Sequence, residues 1–165
     1  MSRVTVMRSI QAQPNDVWRL LTDLTMRTHA APGRVVLTHG EFGPGTAWRE
    51  VRSQPDGAAL VEEFVVVEAV PPHRLVLASP GRGVDYRTTW ALRPARCRGE
   101  RNTVVTVTQE AIPAGTRGRI VAFFLGGLAA RAVAGALRRD LAELAAAGRA
   151  APARQPRRSR APRAG

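Results

Sequence analysis

Four side chains join a reactive type to a position that could face a cavity: His29, Arg49, Glu50 and Tyr86. In residues 46–53, Trp48, Glu50 and Arg52 alternate with Ala47, Arg49 and Val51, so either face of a strand there carries a charge beside apolar groups. If Trp48 faces inward, Glu50 comes with it, and a carboxylate in an apolar cavity has a raised pKa suited to acid–base work. In the other register Arg49 faces inward and can hold a ligand carboxylate or ketone oxygen. Both registers stay open, as does a plain Arg/Glu-decorated outer face. His29 follows the first helix, and an imidazole is the side chain whose unperturbed range suits proton transfer near neutrality, although a surface-loop histidine fits the same position.

Residues 84–93 alternate most cleanly, with Tyr86, Thr88, Trp90 and Leu92 on one face and Asp85, Arg87, Thr89, Ala91 and Arg93 on the other. The first set is expected inside, where Tyr86 and Trp90 offer apolar rings with hydrogen-bonding tips to a ring-containing ligand, or simply fill the core. In residues 59–70 neither face wins: Val65-Val66-Val67 implies burial on both sides, and one of Glu62 or Glu63 approaches the cavity.

Other chemistries lack their signals. His39 and Glu41 share a strand face without a third ligand, so no metal site is expected. There is no Gly-x-Ser-x-Gly elbow, no phosphate loop and no dinucleotide fingerprint; Gly81-Arg82-Gly83 precedes a strand, the wrong context for a cofactor loop. No cofactor is expected.

The elements that must position these residues run in a telling order. Val4, Val6 and Arg8 alternate with Thr5, Met7 and Ser9 in a first strand ending near Gln11. Pro14-Asn15-Asp16 opens a helix in which Asn15 or Asp16 can cap free N–H groups, with Val17, Trp18, Leu20, Leu21 and Leu24 as its apolar face. Residues 26–33 read as a short helix or loop. Strands are expected at 34–41, 46–53, 59–70, 74–79, 84–93 and 103–112, split by Gly/Pro turns and an Arg-rich hairpin at 96–102. Spacing this short excludes crossover helices, so the sheet is antiparallel. A long helix over about 116–147 then aligns Phe123, Gly126, Ala130, Val133, Ala134, Leu137, Leu141 and Leu144 on one face, with Arg138, Arg139, Asp140 and Glu143 away from it. The small residues in mid-stripe either leave a hollow against the sheet or allow close packing without one. The expected cavity lining is Trp48, Tyr86, Thr88, Trp90, Phe123, Gly126, Ala130 and Ala134.

These elements also carry a resemblance. QAQPNDVWRLLTDL at residues 11–24, Gly45-Thr46 at a strand start, the turn Pro71-Pro72-His73-Arg74-Leu75 and the strand Asp85-Tyr86-Arg87-Thr88-Thr89-Trp90 resemble the START-like (SRPBCC) superfamily of polyketide cyclases/dehydrases and lipid-transfer domains. The likeness spans about residues 4–148. It implies an α+β helix-grip fold, a seven-stranded curved antiparallel sheet wrapped around a long C-terminal helix with short helices after the first strand. Where many relatives carry a Trp after the first helix this chain has Thr28-His29, which implies a more polar entrance.

Composition limits the rest. The 165 residues, 44% of them hydrophobic, fit one domain, here residues 1–148, followed by a disordered Arg/Pro/Ala-rich tail at 149–165. Of the net charge of +12, the tail's six arginines account for half. Without interleaved aromatics the tail is expected to be solvated rather than a nucleic-acid site, and membrane docking is not favoured. Cys97 is the single cysteine, and the N-terminus lacks a hydrophobic signal core, as expected of a cytoplasmic protein. The apolar residues 120, 121, 124, 125 and 128 lie off the sheet-facing stripe and need a cover, either the segment 26–33, a membrane surface or a second copy, and of these a homodimer through Phe124 and Leu128 is favoured. The function expected is binding or carriage of a hydrophobic small molecule, with a polyketide aromatase/cyclase working by acid–base groups as the first alternative and a nucleic-acid or membrane adaptor acting through the tail as the second.

Overall fold

Turn-rich connectors leave each strand no route but back along its neighbour, and the chain folds accordingly. The computed structural model describes residues 2–24, 35–38, 40–53, 59–81, 84–97, 100–113 and 126–150. Its elements are β1 (Ser2–Ile10), α1 (Pro14–Thr22), β2 (Val35–Val36), β3 (Ala47–Ser53), β4 (Ala59–Val70), β5 (Arg74–Ser79), β6 (Val84–Cys97), β7 (Glu100–Pro113) and α2 (Gly126–Ala150). The strands form one antiparallel sheet in the order β1-β7-β6-β5-β4-β3-β2. Every neighbour but one is next in sequence; β1 closes on β7 from the far end of the chain.

The alternation of β1, β6 and β7 defines an inner face. Val6, Val107, Trp90 and Leu75 stand level in one row of the ladder, and all are buried. α1 covers this face on β6 and β7 through Val17, Trp18 and Leu21. α2 lies along β1 and against α1, burying Leu137, Leu141, Leu144 and Ala145. Its last turn sits close: a Cβ on Gly148 would lie 3.0 Å from Ile10 Cγ2, tight enough that a side chain there forces a shift.

Several expectations change. The strand expected at 34–41 shrinks to Val35–Val36. Leu37 N–H still donates to the Ala47 carbonyl, but the Ala47 N–H goes to the Thr38 hydroxyl, and Gly40 turns the chain at φ +117°, which no strand can hold. Conversely, β6 and β7 outrun their expected ends. Leu92 N–H points to the β5 side, where it meets the His73 carbonyl, so Pro94 lacks its N–H on the side where β5 has already ended. The β4 register slips between Val66 and Glu68, making Val67 a bulge that is 43% exposed. The triple valine is therefore buried on one face only, through Val66. Neither Asn15 nor Asp16 caps α1: Gln13 holds the cap position without a side-chain bond, Pro14 begins the helix, and Asp16 instead pairs with Arg19. α2 continues to Ala150, so Arg149 and Ala150 are helical rather than part of a tail. Residues 26–33, the start of the long helix before 126 and residues 151–165 lie outside the described residues.

The outer face carries cross-strand charge pairs among apolar residues that stay exposed, Met7, Val51 and Val61 among them. Arg49 meets Glu63 at 2.9 Å, Arg74 meets Glu68 at 3.0 Å and Arg3 meets Glu110 at 3.7 Å, all across neighbouring strands and all solvated. Exposed pairs of this kind contribute about 1 kcal/mol or less each.

Candidate functional site

The ladder decides which charge of β3 goes inside. Trp48 lies opposite Phe64 and stacks on it, with ring centroids 5.5 Å apart and planes at 23°. Burying that pair turns Glu50 inward with Trp48 and sends Arg49 out to Glu63. Glu50 is only 7% exposed, and its Oε1 accepts the Trp48 Nε1 hydrogen at 2.8 Å. Glu62, directly opposite Glu50, is the glutamate of β4 that comes to the inner face. Of the two registers open in the sequence, the structure adopts the one in which a carboxylate, not a guanidinium, stands inside.

One step along from the Val65–Ala78 pair, Phe64 comes level with Ser79, and Ser79 is opposite Tyr86. Trp48, Phe64, Ser79 and Tyr86 thus form one row across β3 to β6, with Ser79 buried and Tyr86 half-buried. The next row holds Thr88 beside Leu77 and Gln109, and the one after holds Trp90. Thr88 and Trp90 are buried. Among the described residues, two buried side-chain polar atoms have no hydrogen-bond partner: Trp90 Nε1, and Asn102 Oδ1 near the far end of β7.

The helix aligns with these rows. Ala130 is eighteen residues before Gly148, about 27 Å of helix, and from Ile10 back to Ser2 is about 26 Å of strand. With Gly148 against Ile10 and α2 lying along β1, Ala130 comes level with the end of the sheet where Ser2, Tyr86, Ser79, Phe64 and Trp48 lie. Ala134 comes level with Thr88. The packing of α2 changes along its length to match: Leu137 to Ala145 carry the buried positions, while Ala130, Val133 and Ala134 are only partly buried. On these lengths the small-residue half of the helix, lying along β1, extends to the end of the sheet that carries the polar-tipped aromatics.

Of the residues singled out in the sequence, Trp48, Glu50, Tyr86, Thr88 and Trp90 share the inner face, Ala130 and Ala134 lie on the buried stripe of α2, and Gly126 begins that helix. Arg49 is not among them. His29, His39, Phe123 and Phe124 lie outside the described residues, as does the side chain of Leu128. Sequence reasoning passed over Phe64, Ser79 and Gln109. Ser79 closes the strand expected at 74–79 with no aromatic or charged group to mark it, whereas Phe64 could have been found by asking which β4 face can oppose an aromatic on β3. Among the described residues no three His, Cys, Asp or Glu side chains gather as a metal site, and no helix is long and apolar enough to cross a membrane.

The Trp48–Glu50 contact is open to a direct test. Trp48→Phe leaves a buried carboxylate short of a donor and Glu50→Leu leaves an indole N–H bare, so each is expected to lower stability by about 1–3 kcal/mol. The double variant should cost less than the sum, with a coupling of about 1 kcal/mol in urea unfolding. Strict additivity would show that the bond does not contribute.

A seven-stranded antiparallel sheet with a short helix after its first strand and a C-terminal helix across its inner face is the helix-grip architecture of START-like, SRPBCC-type domains. The chain belongs to the polyketide cyclase/dehydrase and lipid transport family, whose model matches residues 1–149. Solved structures share the fold. A crystal structure of a Thermus thermophilus protein has a TM-score of 0.66 at 22% identity, covering 90% of this chain and 97% of that one. A solution structure of an Arthrobacter aurescens protein has a TM-score of 0.62 at 15% identity, covering 91% and 87%. A crystal structure of a Chromobacterium violaceum protein has a TM-score of 0.59 at 22% identity, covering 90% and 98%. No curated protein matches the chain.

Proposed function

We propose that the protein binds an apolar small molecule, lipid-like or polyketide-like, between the inner face of the sheet and the N-terminal half of α2. The observation that carries this reading is the match of levels. The Trp48–Phe64 stack, Ser79 and Tyr86 occupy the same end of the sheet as the alanines of α2, where the helix is least buried. Large apolar surfaces with a few placed polar groups are what small-molecule sites require. Family membership agrees with it.

Carriage is the reading that asks least of the site. Cyclisation and dehydration of a poly-ketone form the second reading, favoured by the inward Glu50 carboxylate on the face that also bears Tyr86. Such chemistry needs positioned proton transfer rather than a nucleophile.

Titration with 1-anilinonaphthalene-8-sulfonate tests the binding itself. The expected result is saturable, one-to-one binding to a protein that still melts cooperatively. Its stability should rise by about 2.7 kcal/mol at a dye concentration of 100 Kd. Weak, unsaturable binding without a melting shift would sink the proposal.

A further inference from the structure

We infer that Trp90 reads a neutral carbonyl oxygen on the bound ligand, an inference that rests on the binding reading above. Two inner-face indoles are treated differently by this fold. Trp48 donates to Glu50, whereas Trp90, only 4% exposed, finds no partner for its N–H among the described residues. Its row neighbours are Val107 on β7 and Leu75 on β5, neither of which can accept a hydrogen bond through its side chain. A buried donor left bare is costly, and native folds rarely keep one without a use. The donor stands one row from Thr88, on the face that the ligand is proposed to occupy, so a ligand oxygen reaching past Thr88 would complete it.

The surroundings set the kind of oxygen. A carboxylate placed between Leu75 and Val107 would lose its hydration with only one neutral donor in return. A ketone or ester carbonyl needs one donor and carries no charge, which is what Trp90 offers. The ligand class is therefore an apolar body bearing a buried neutral carbonyl, rather than a fatty acid held by its carboxylate.

Fluorene and 9-fluorenone test this, because they share one rigid shape and differ by a CH2 against a C=O. The wild type is expected to bind fluorenone about tenfold more tightly than fluorene, as one such bond implies. In proton–nitrogen correlation spectra, the Trp90 indole signal, assigned through backbone connectivity, should move downfield with fluorenone and much less with fluorene. In Trp90→Phe the ratio of the two affinities should fall to about one, whatever affinity for both compounds is lost with the larger ring. Equal affinities in the wild type, or a preference that survives Trp90→Phe, would overturn the inference while leaving ligand binding standing. Should Trp90→Phe fail to fold, the wild-type indole shift decides alone. Binding of neither compound would remove the cavity reading, and this inference with it.

Discussion

Ala130→Trp is expected to weaken binding of apolar ligands by about 10- to 100-fold, the equivalent of the 1–3 kcal/mol that forced overpacking costs, while the protein keeps its cooperative melt. The argument is positional. Ala130 lies on the same stripe of α2 as Leu137, Leu141 and Gly148, and its level along the sheet is that of Tyr86, Ser79, Phe64 and Trp48. It is only partly buried, so an indole there can enter the space a ligand would use without displacing packed core. Dye titration and thermal melting on the same sample give the two readouts. Unchanged affinity with a native melt would place the ligand elsewhere. A fall in melting temperature comparable to a core truncation would show that the helix and sheet are already in full contact at Ala130.

Leu141→Ala should do the reverse, lowering stability by about 2–5 kcal/mol as buried leucine truncations do. Leu141 is 2% exposed and belongs to the core that joins α2 to β1 and α1, together with Leu137, Leu144, Val6, Ile10 and Val17. The lost methyl and methylene groups leave a gap that a helix pinned by Gly148 against Ile10 closes poorly. For a chain of this size the melting temperature should drop by roughly 5–15 °C. Glu143→Ala, on the exposed side of the same turn, is the control and should stay within about 0.5 kcal/mol. A Leu141→Ala effect no larger than that control would mean that α2 is not held by this face.

Together the two variants separate what α2 does. Its C-terminal half anchors the helix to the first strand, and its N-terminal half is proposed to roof a binding space. Small residues at 130 and 134 and large ones at 137, 141 and 144 make that division visible along the chain, since helical spacing alone brings them onto one face.

Much of the architecture could be read locally because its signals are local. Gly and Pro separators define the turns, connectors too short for a crossover force antiparallel pairing, and strict alternation in β6 puts Tyr86, Thr88, Trp90 and Leu92 on one side whatever else the chain does. The sequence motifs also pointed to the family that the comparison establishes. β3 was different. Its two faces each combine a charge with apolar groups, so no residue within it favours one side, and only the opportunity to stack Trp48 on Phe64 across the ladder breaks the tie. That choice decided that Glu50 and Glu62 stand inside and Arg49 outside. The bulge at Val67, the two-residue β2 and the unpartnered N–H of Trp90 belong to the same group, because each depends on what a distant segment places opposite. Periodicity fixes which residues share a face; which face is buried, and which buried polar group is left without a partner, is decided by packing between segments far apart in the chain.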